Sequence, residues 1–216
     1  MTYAELKSNI ASFLNRSDLT DIIDSFIDST EAEFNRRLRV KGMIKRATAT
    51  LDTQYLAVPT DWLEAINLQI DSGNFSPLFQ QSIESLDIYR KSNDNAPGQP
   101  VYFALVDDSI EFAPTPDGSY TVQLTYYGKI DALSDSTTSN FLSTGYPDAY
   151  LYGSLKHASI YLMEDERVPL FTAQFEKALE EMRLEQEKAE FGKGSLMQRR
   201  RTYGKRSKSI YYFGNN

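Results

Sequence analysis

The sequence contains no cysteine and only one histidine, His157, and no apolar run in it is long enough to cross a bilayer. The absence of cysteine excludes disulfide bonds, thiolate catalysis and zinc sites built on cysteine. A membrane-spanning helix needs roughly 20 predominantly apolar residues in a row. The N-terminus also lacks a basic segment followed by an apolar one. We therefore expect a soluble protein that is not secreted through a signal peptide, with few of the common active sites open to it.

The remaining candidates for chemistry are weak. His157 lies in the middle of a predicted helix, and no Ser or Asp can be assigned to it by spacing, so a structural or surface role is favoured over a catalytic one. Carboxylates are so abundant that a glycosidase-like pair carries no specific signal. Asp107 and Asp108 are typical of a tight turn, because calcium loops need ligands at several alternating positions. The sequence thus predicts no catalytic residue, no metal site and no cofactor.

Charge is distributed unevenly along the chain. The net charge is -7, but residues 192–216 hold seven Lys or Arg and no acidic residue. The rest of the chain therefore carries 16 of the 23 basic residues against all 30 acidic residues, a charge of -14. Residues 48–130 are the extreme case, with eleven acidic residues and three basic ones. Such a surface would not hold a phosphate backbone, because nucleic-acid affinity rests on Lys and Arg that displace counterions.

Helical periodicity predicts two helices before residue 46. Thr2 and Glu5 have the spacing of a capping box, and the first helix should end near Asn15. Its expected inner side consists of Leu6, Ile10, Phe13 and Leu14. A second helix is expected from about Asp18. Its apolar stripe consists of Leu19, Ile22, Ile23, Phe26, Ile27, Phe34 and Leu38.

The end of this second helix is basic, through Arg36, Arg37, Arg39 and Lys41. Acidic residues early and basic residues late in a helix complement its dipole, which is a local reason for the pattern. The other interpretation is a patch that faces a partner or a neighbouring subunit, made of Arg36, Arg37 and Arg39. We favour the dipole and keep the patch as the alternative.

From Lys45 the apolar period changes to two, which is typical of strands. Further strand-like runs lie at 55–58, 65–70, 101–106, 110–112 and 120–127, with one helix at 82–91. Turns are expected at 71–74, at Asp107 and Asp108, and at 116–118. These runs predict an antiparallel sheet.

Residues 147–191 predict two more helices. The first begins at Pro147 and Asp148 and buries one side. That side consists of Leu151, Leu155, Ala158 and Leu162. The second is amphipathic, and Gly192 should end it. Its apolar face consists of Val168, Phe171, Phe175, Leu179, Met182, Gln186 and Ala189.

The predicted fold class is α+β: an antiparallel helical bundle with an inserted antiparallel β-sheet module and an extended C-terminal tail. The bundle is assigned to residues 1–46 and 147–191, the β module to 47–130, a Ser- and Thr-rich linker to 131–146, and the basic aromatic tail to 192–216. A β module inserted into a bundle explains why strands lie between two helical segments of sequence.

The tail has three interpretations. Its cations could bind nucleic acid while its aromatic residues stack on bases. It could equally bind an acidic protein groove, with Ile210, Tyr211, Tyr212 and Phe213 adding a strand or filling pockets. The third interpretation is a solvated terminus, which four successive large apolar residues disfavour.

Four stretches resemble, in the same order, the head-to-tail adaptor proteins of tailed bacteriophages, also called tail accessory or head-completion connector proteins. They are residues 32–40 (AEFNRRLRV), 58–64 (VPTDWLE), 140–142 (NFL) and 147–158 (PDAYLYGSLKHA). The resemblance implies a ring, expected to be a dodecamer, that binds the portal protein above and a tail or nozzle protein below. DNA would pass through the ring without being specifically bound, and no membrane or cofactor would be involved.

The resemblance also implies a place and a docking segment. The protein would be made in the host cytoplasm and would sit in the neck of the virion. Its portal-docking tail would comprise Arg199, Arg200, Arg201, Tyr203, Arg206, Ile210, Tyr211, Tyr212 and Phe213. Two other functions stay open from the residues alone: a nucleic-acid-binding protein that acts through its basic tail, and a cell-wall hydrolase with a carboxylate pair.

Overall fold

Helices precede and follow two β-sheets along the chain in the computed structural model, which describes residues 1–16, 18–71, 76–164 and 166–190. Within these residues the helices are α1 (Tyr3–Leu14), α2 (Thr20–Arg37), α3 (Ile83–Ser92), α4 (Phe141–Gly145), α5 (Pro147–Tyr161) and α6 (Val168–Glu190). The strands are β1 (Ile44–Leu51), β2 (Tyr55–Ala57), β3 (Trp62–Ile70), β4 (Ser76–Pro77), β5 (Phe79–Gln80), β6 (Tyr102–Val106), β7 (Ser109–Ala113) and β8 (Tyr120–Gly128). This order confirms the α+β fold class; the tail at 192–216 lies outside the described residues.

The first helix begins and ends as its sequence predicts. Thr2 Oγ1 accepts a hydrogen bond from the Glu5 N–H at 3.3 Å, and Glu5 Oε2 accepts one from the Thr2 N–H at 2.8 Å. Asn15 ends α1 with a φ of 50°, a left-handed conformation that Asn tolerates better than most residues. Phe13 was expected on the inner side of α1 but is 53% exposed. The buried face of this helix consists of Tyr3, Leu6, Ile10 and Leu14, and Phe13 lies outside it.

Helix α5 lies at the centre of the bundle and contacts α1, α2 and α6. Gly153 makes the close packing possible. A Cβ atom there would lie 2.9 Å from the ring of Phe175 on α6, and closer still to the Thr30 methyl group on α2. The apolar faces predicted for α2, α5 and α6 supply half of the buried residues in the core of the bundle. Helix α5 also buries Ala149 and Tyr150, which lie off its predicted face, and Ala189 lies outside the described side chains.

Aromatic pairs show how the helices run. Phe34, late in α2, packs edge-on against Tyr150, early in α5, with ring centroids 5.0 Å apart. Phe26, early in α2, packs against Tyr161 at the end of α5, at 5.6 Å. Helices α2 and α5 are therefore antiparallel, and the turns between α1 and α2 and between α5 and α6 lie at the same end of the bundle.

The strands form two sheets, where the sequence predicted one. The strand orders are β1-β8-β3-β4 in the first sheet and β2-β7-β6-β5 in the second. One pair, β5 with β6, is parallel. Helix α3 explains this pair, because a helical crossover returns the chain to the same end of a sheet. The core between the sheets consists of Leu51, Leu68, Ile70, Leu78, Phe103, Ile110, Phe112, Val122, Leu124 and Tyr126.

The β region is built in three layers. Helix α3 covers the far side of the second sheet, where Leu86 packs against Ala104 and Ala113. The first sheet turns alternate residues of β8 to the inter-sheet core and to the outside. Ile44 pairs with Tyr127, and both lie on that outer side, away from the second sheet. The first sheet therefore has one face free of α3 and of the other sheet.

The segment between β8 and α5, interpreted as a linker from its composition, packs on the helices. Ile130, Leu133 and Leu142 are buried in the core of the bundle. Helix α4 begins with a capping box, in which Asn140 Oδ1 accepts from the Ser143 N–H at 2.8 Å. The segment thus fixes where the chain rejoins the helices.

Candidate assembly site

Arg37, at the end of α2, is held by carboxylates of its own chain. Its Nη1 and Nη2 donate to the two Glu176 oxygens at 2.6 and 2.5 Å, and Nη1 also donates to Glu33 at 2.8 Å. The hydrogen bond from Arg37 lowers the pKa of Glu176. Burial alone would raise the pKa of Glu33, but hydrogen bonds from Lys156 and Arg37 outweigh it and lower that pKa. Arg37 therefore joins α2 to α6 through carboxylates that stay ionised at neutral pH.

The other two arginines of the predicted patch behave differently from each other. Arg39 Nε donates to Glu64 Oε2 at 2.9 Å, which joins the end of α2 to β3. Its Nη1 donates to the main-chain oxygen of Leu38 at 2.6 Å. Arg36 is exposed, and no hydrogen bond or ion pair holds its side chain among the described residues. The structure thus places Arg37 and Arg39 at junctions and leaves Arg36 accessible.

A groove of about 540 Å³ opens where α2 and α6 meet the start of β1. We call it the basic groove. Its lining residues are Arg37, Arg39, Val40, Lys41, Ile44, Tyr127, Arg183, Gln186 and Glu187. Arg183 Nη2 donates to the main-chain oxygen of Arg37 at 3.3 Å, across 146 positions of sequence. Arg183 and Tyr127 could not be placed here from the sequence, because no local pattern brings α6 and β8 to the end of α2.

His157 lies beside the same ion pairs. Its Nε2 is 3.5 Å from Glu33 Oε2, and its side chain is 25% exposed. Burial, followed by the nearby Lys156 charge, lowers the pKa of His157. The imidazole is therefore neutral at physiological pH and faces a carboxylate that is already hydrogen-bonded to Lys156 and Arg37.

Asp61 and Asp131, which lie between the β region and the bundle, do not form the catalytic carboxylate pair that a cell-wall hydrolase needs. Asp61 and Asp131 share Lys45, whose Nζ lies 2.8 and 3.1 Å from them. Burial would raise the pKa of Asp61, but hydrogen bonds from Lys45 and Tyr126 outweigh it and lower that pKa, whereas a glycosidase acid needs a raised one. In the part of the chain that the structure describes, no group of three His, Asp or Glu could hold a metal ion.

Glu31 forms a buried polar cluster where the chain rejoins the bundle. Its Oε1 accepts from the Leu133 N–H at 2.8 Å and from the Tyr150 hydroxyl at 3.0 Å. Asn140 Nδ2 donates to the same hydroxyl oxygen at 2.6 Å. Burial raises the pKa of Glu31, and the side chain is only 5% exposed, so no substrate could reach it. The cluster joins α2, α5 and the segment before α4.

The opposite end of the bundle exposes apolar side chains. Large exposed side chains lie at the ends of α1, α5 and α6, near the two turns that meet there. They are Phe13, Ile160, Tyr161, Met163 and Leu170, exposed by 53, 56, 53, 86 and 57%. Exposed apolar surface of this kind is typical of interaction sites. The same turns also carry the exposed ion pairs Arg16–Asp18 and Arg167–Glu164, so apolar and charged side chains alternate at this end of the bundle.

The nine tail residues predicted to dock on a portal, from Arg199 to Phe213, lie outside the described residues. Among the helices that are described, none combines the length and the apolar character needed to cross a membrane.

Comparison with known proteins assigns the family. The family description "SU10 adaptor protein" matches residues 1–202 of the chain. A search of curated proteins found no match. The family match spans every helix and strand described above and confirms the resemblance carried by residues 32–40 and 147–158. The chain therefore belongs to the SU10 adaptor protein family, a family of phage head-tail adaptors.

Proposed function

We propose that the protein is a structural connector between the head and the tail of a tailed phage. Copies of the chain form a ring, with twelve subunits expected, under the portal protein and above a tail or nozzle protein. The family match over residues 1–202 carries this proposal. In this role the chain is a virion component of the neck, performs no catalysis and needs no cofactor.

The division of charge supports a ring through which DNA passes. Residues 1–191 carry a charge of -14, and the excess of acidic residues is greatest between 48 and 130. A channel must let DNA slide, so it must not offer the dense Lys and Arg contacts that displace counterions and hold a phosphate backbone. An acidic body meets this requirement.

The C-terminal tail supplies the contact with the portal. Its cations are attracted to an acidic groove, and its aromatic residues bury apolar area on docking. The docking residues in this proposal are Arg199, Arg200, Arg201, Tyr203, Arg206, Ile210, Tyr211, Tyr212 and Phe213.

Electron microscopy of the purified protein, alone and mixed with portal rings, tests the proposal. We expect rings stacked coaxially on the portal. A variant that lacks residues 194–216 should keep the circular dichroism spectrum of the full chain but lose portal binding. Portal binding by the truncated protein at unchanged strength would overturn the role given to the tail, and the absence of rings in both samples would overturn the connector itself.

The seven Lys or Arg of residues 192–216 favour a second candidate, a nucleic-acid-binding protein. Titration with duplex DNA at two salt concentrations separates the two functions. Tight binding that falls steeply with salt and disappears on truncation would favour the second candidate. Weak binding that truncation leaves unchanged would favour the connector.

A further inference from the structure

The chain's own carboxylates neutralise only part of the basic groove. The two arginines at the end of α2 are bound by carboxylates of β3 and α6. Lys41 and Arg183 are not: no carboxylate of the described residues lies within salt-bridge distance of either side chain. Glu187 is the one acid among the residues that line the groove. The groove therefore presents two cations that a ligand could neutralise.

The groove also has the size and the floor of a binding site for a few side chains. Its volume of about 540 Å³ falls within the range of ligand pockets. Ile44, 40% exposed, and the half-buried Tyr127 provide apolar contact beside the cations. A tight turn with acidic side chains matches this combination of shape and charge.

The chain itself contains such a turn. Asp107 and Asp108 form the tip of the hairpin between β6 and β7, and we call them the acidic tip. Both are exposed, and Asp107 adopts a φ of 50°. Neither carboxylate forms an ion pair within the described residues, although they are adjacent and repel each other. Asp87 and Asp117 have local partners, Arg90 at 3.5 Å and the Tyr120 hydroxyl, whereas the exposed Asp52, Glu84 and Asp94 also form no ion pair within the described residues. Asp107 and Asp108 differ from these three in lying side by side at the tip of a hairpin.

The groove and the acidic tip belong to different sheets of the β region. Ile44 and Tyr127 bring the groove to the outer side of the first sheet. The hairpin belongs to the second sheet, which packs on the inner side of the first. A contact between two different surfaces of the same chain is heterologous, and such contacts generate a ring when the rotation from one copy to the next closes.

From this arrangement we infer that the basic groove of one copy receives the acidic tip of the next copy, with Lys41 and Arg183 bound to Asp107 and Asp108. This inference rests on the proposed function, since it describes how the copies of the ring hold one another. The contact is electrostatic and partly exposed, so it weakens as salt rises.

Charge reversal on each side of the contact tests the inference in the full-length protein. One variant carries Lys41→Glu with Arg183→Glu, and the other carries Asp107→Lys with Asp108→Lys. Each alone should need a protein concentration about tenfold higher or more for half-assembly, measured by sedimentation velocity with and without portal rings. When the two variants are mixed in equal amounts they should assemble again, because every interface between adjacent subunits in an alternating ring then joins opposite charges.

A control variant with Lys177→Glu and Arg167→Glu makes the same change of charge elsewhere on α6 and its preceding turn, and should assemble like the unmodified chain. Circular dichroism and thermal unfolding establish that each variant is folded. The groove contact would be overturned if the unmodified chain forms rings and both reversed variants assemble as well as it does. It would also be overturned if the mixture of the two reversed variants does not assemble. Either outcome would leave the proposed connector function in place. Unmodified chains that form no ring would overturn the proposed function instead.

Discussion

Replacement of Glu31 by leucine tests the buried polar cluster that returns the chain from the sheets to the helices. The change removes the acceptor of two hydrogen bonds, from the Leu133 N–H at 2.8 Å and from the Tyr150 hydroxyl at 3.0 Å. Each buried donor left without a partner costs about 1–3 kcal/mol. Loss of the buried carboxylate offsets part of this cost, so we expect the free energy of unfolding to fall by about 2–4 kcal/mol. For a chain of this size that corresponds to a fall in Tm of roughly 5–15 °C.

Glu31→Gln is the matched control, because it keeps an oxygen at the same position and removes only the charge. We expect its stability at pH 7 to equal or exceed that of the unmodified chain. Burial raises the pKa of Glu31, so the folded state holds this proton at a higher pH than the unfolded state does. The stability that Glu31 contributes is fully present at pH values below the pKa of Glu31 in the unfolded state. It is lost as the pH rises through the pKa of Glu31 in the folded state. The free energy of unfolding of the Gln variant, relative to that of the unmodified chain, should therefore increase as the pH rises from 4 to 8.

Urea denaturation measures both effects, with far-ultraviolet circular dichroism for the helices and fluorescence of Trp62, the single tryptophan, for the β region. Unfolding of the Leu variant and the Gln variant at the same urea concentration at pH 7 would contradict the role given to the two hydrogen bonds. A difference in stability between the Gln variant and the unmodified chain that is the same at pH 4 and pH 8 would contradict the raised pKa of Glu31.

Two further changes test packing and ion pairs in the bundle. Gly153→Ala should lower the Tm, because the cost of overpacking, about 1–3 kcal/mol, exceeds the gain of about 1 kcal/mol from the helix preference of alanine. Gly145→Ala is the control and should not lower the Tm, because the new methyl group would have no tertiary neighbour within 4 Å. An equal or higher Tm for Gly153→Ala would contradict the close packing of α5. A double-mutant cycle with Arg37→Met and Glu176→Gln should give a coupling of about 0.5–1 kcal/mol that shrinks in 1 M salt, because both side chains are partly exposed; zero coupling at low salt would contradict it.

The limits of most helices and strands could be predicted from the sequence because their signals are local. The Thr2 capping box begins α1, and Pro147 begins α5, as expected. Alternation of apolar and polar residues marked β1 and β8, and Asp107 with Asp108 marked a hairpin turn. Each of these signals depends on residues only a few positions apart, so a single sequence contains them in full.

Features that depend on distant pairing could not be predicted in the same way. The division into two sheets follows from which strands pair, and strand periodicity does not specify partners. The basic groove needs α6 beside α2 and β8 beside β1, which brings Arg183 and Tyr127 to Lys41 from far along the chain. The ion pair between Arg37 and Glu176 could not be predicted from the sequence either, because the two residues are 139 positions apart.

The pairing of Ile44 with Tyr127 has a consequence for how this protein could be altered. The strands that lead out of the bundle and back into it are neighbours, so a few residues could bridge them and leave the helices where they are. The eight strands of the described residues and α3 lie between these two points. An exchange of these strands and α3 for a larger or smaller unit would keep the two points at which the chain leaves and re-enters the bundle, but it would remove the contacts that Leu63, Glu64 and Tyr127 make with the bundle.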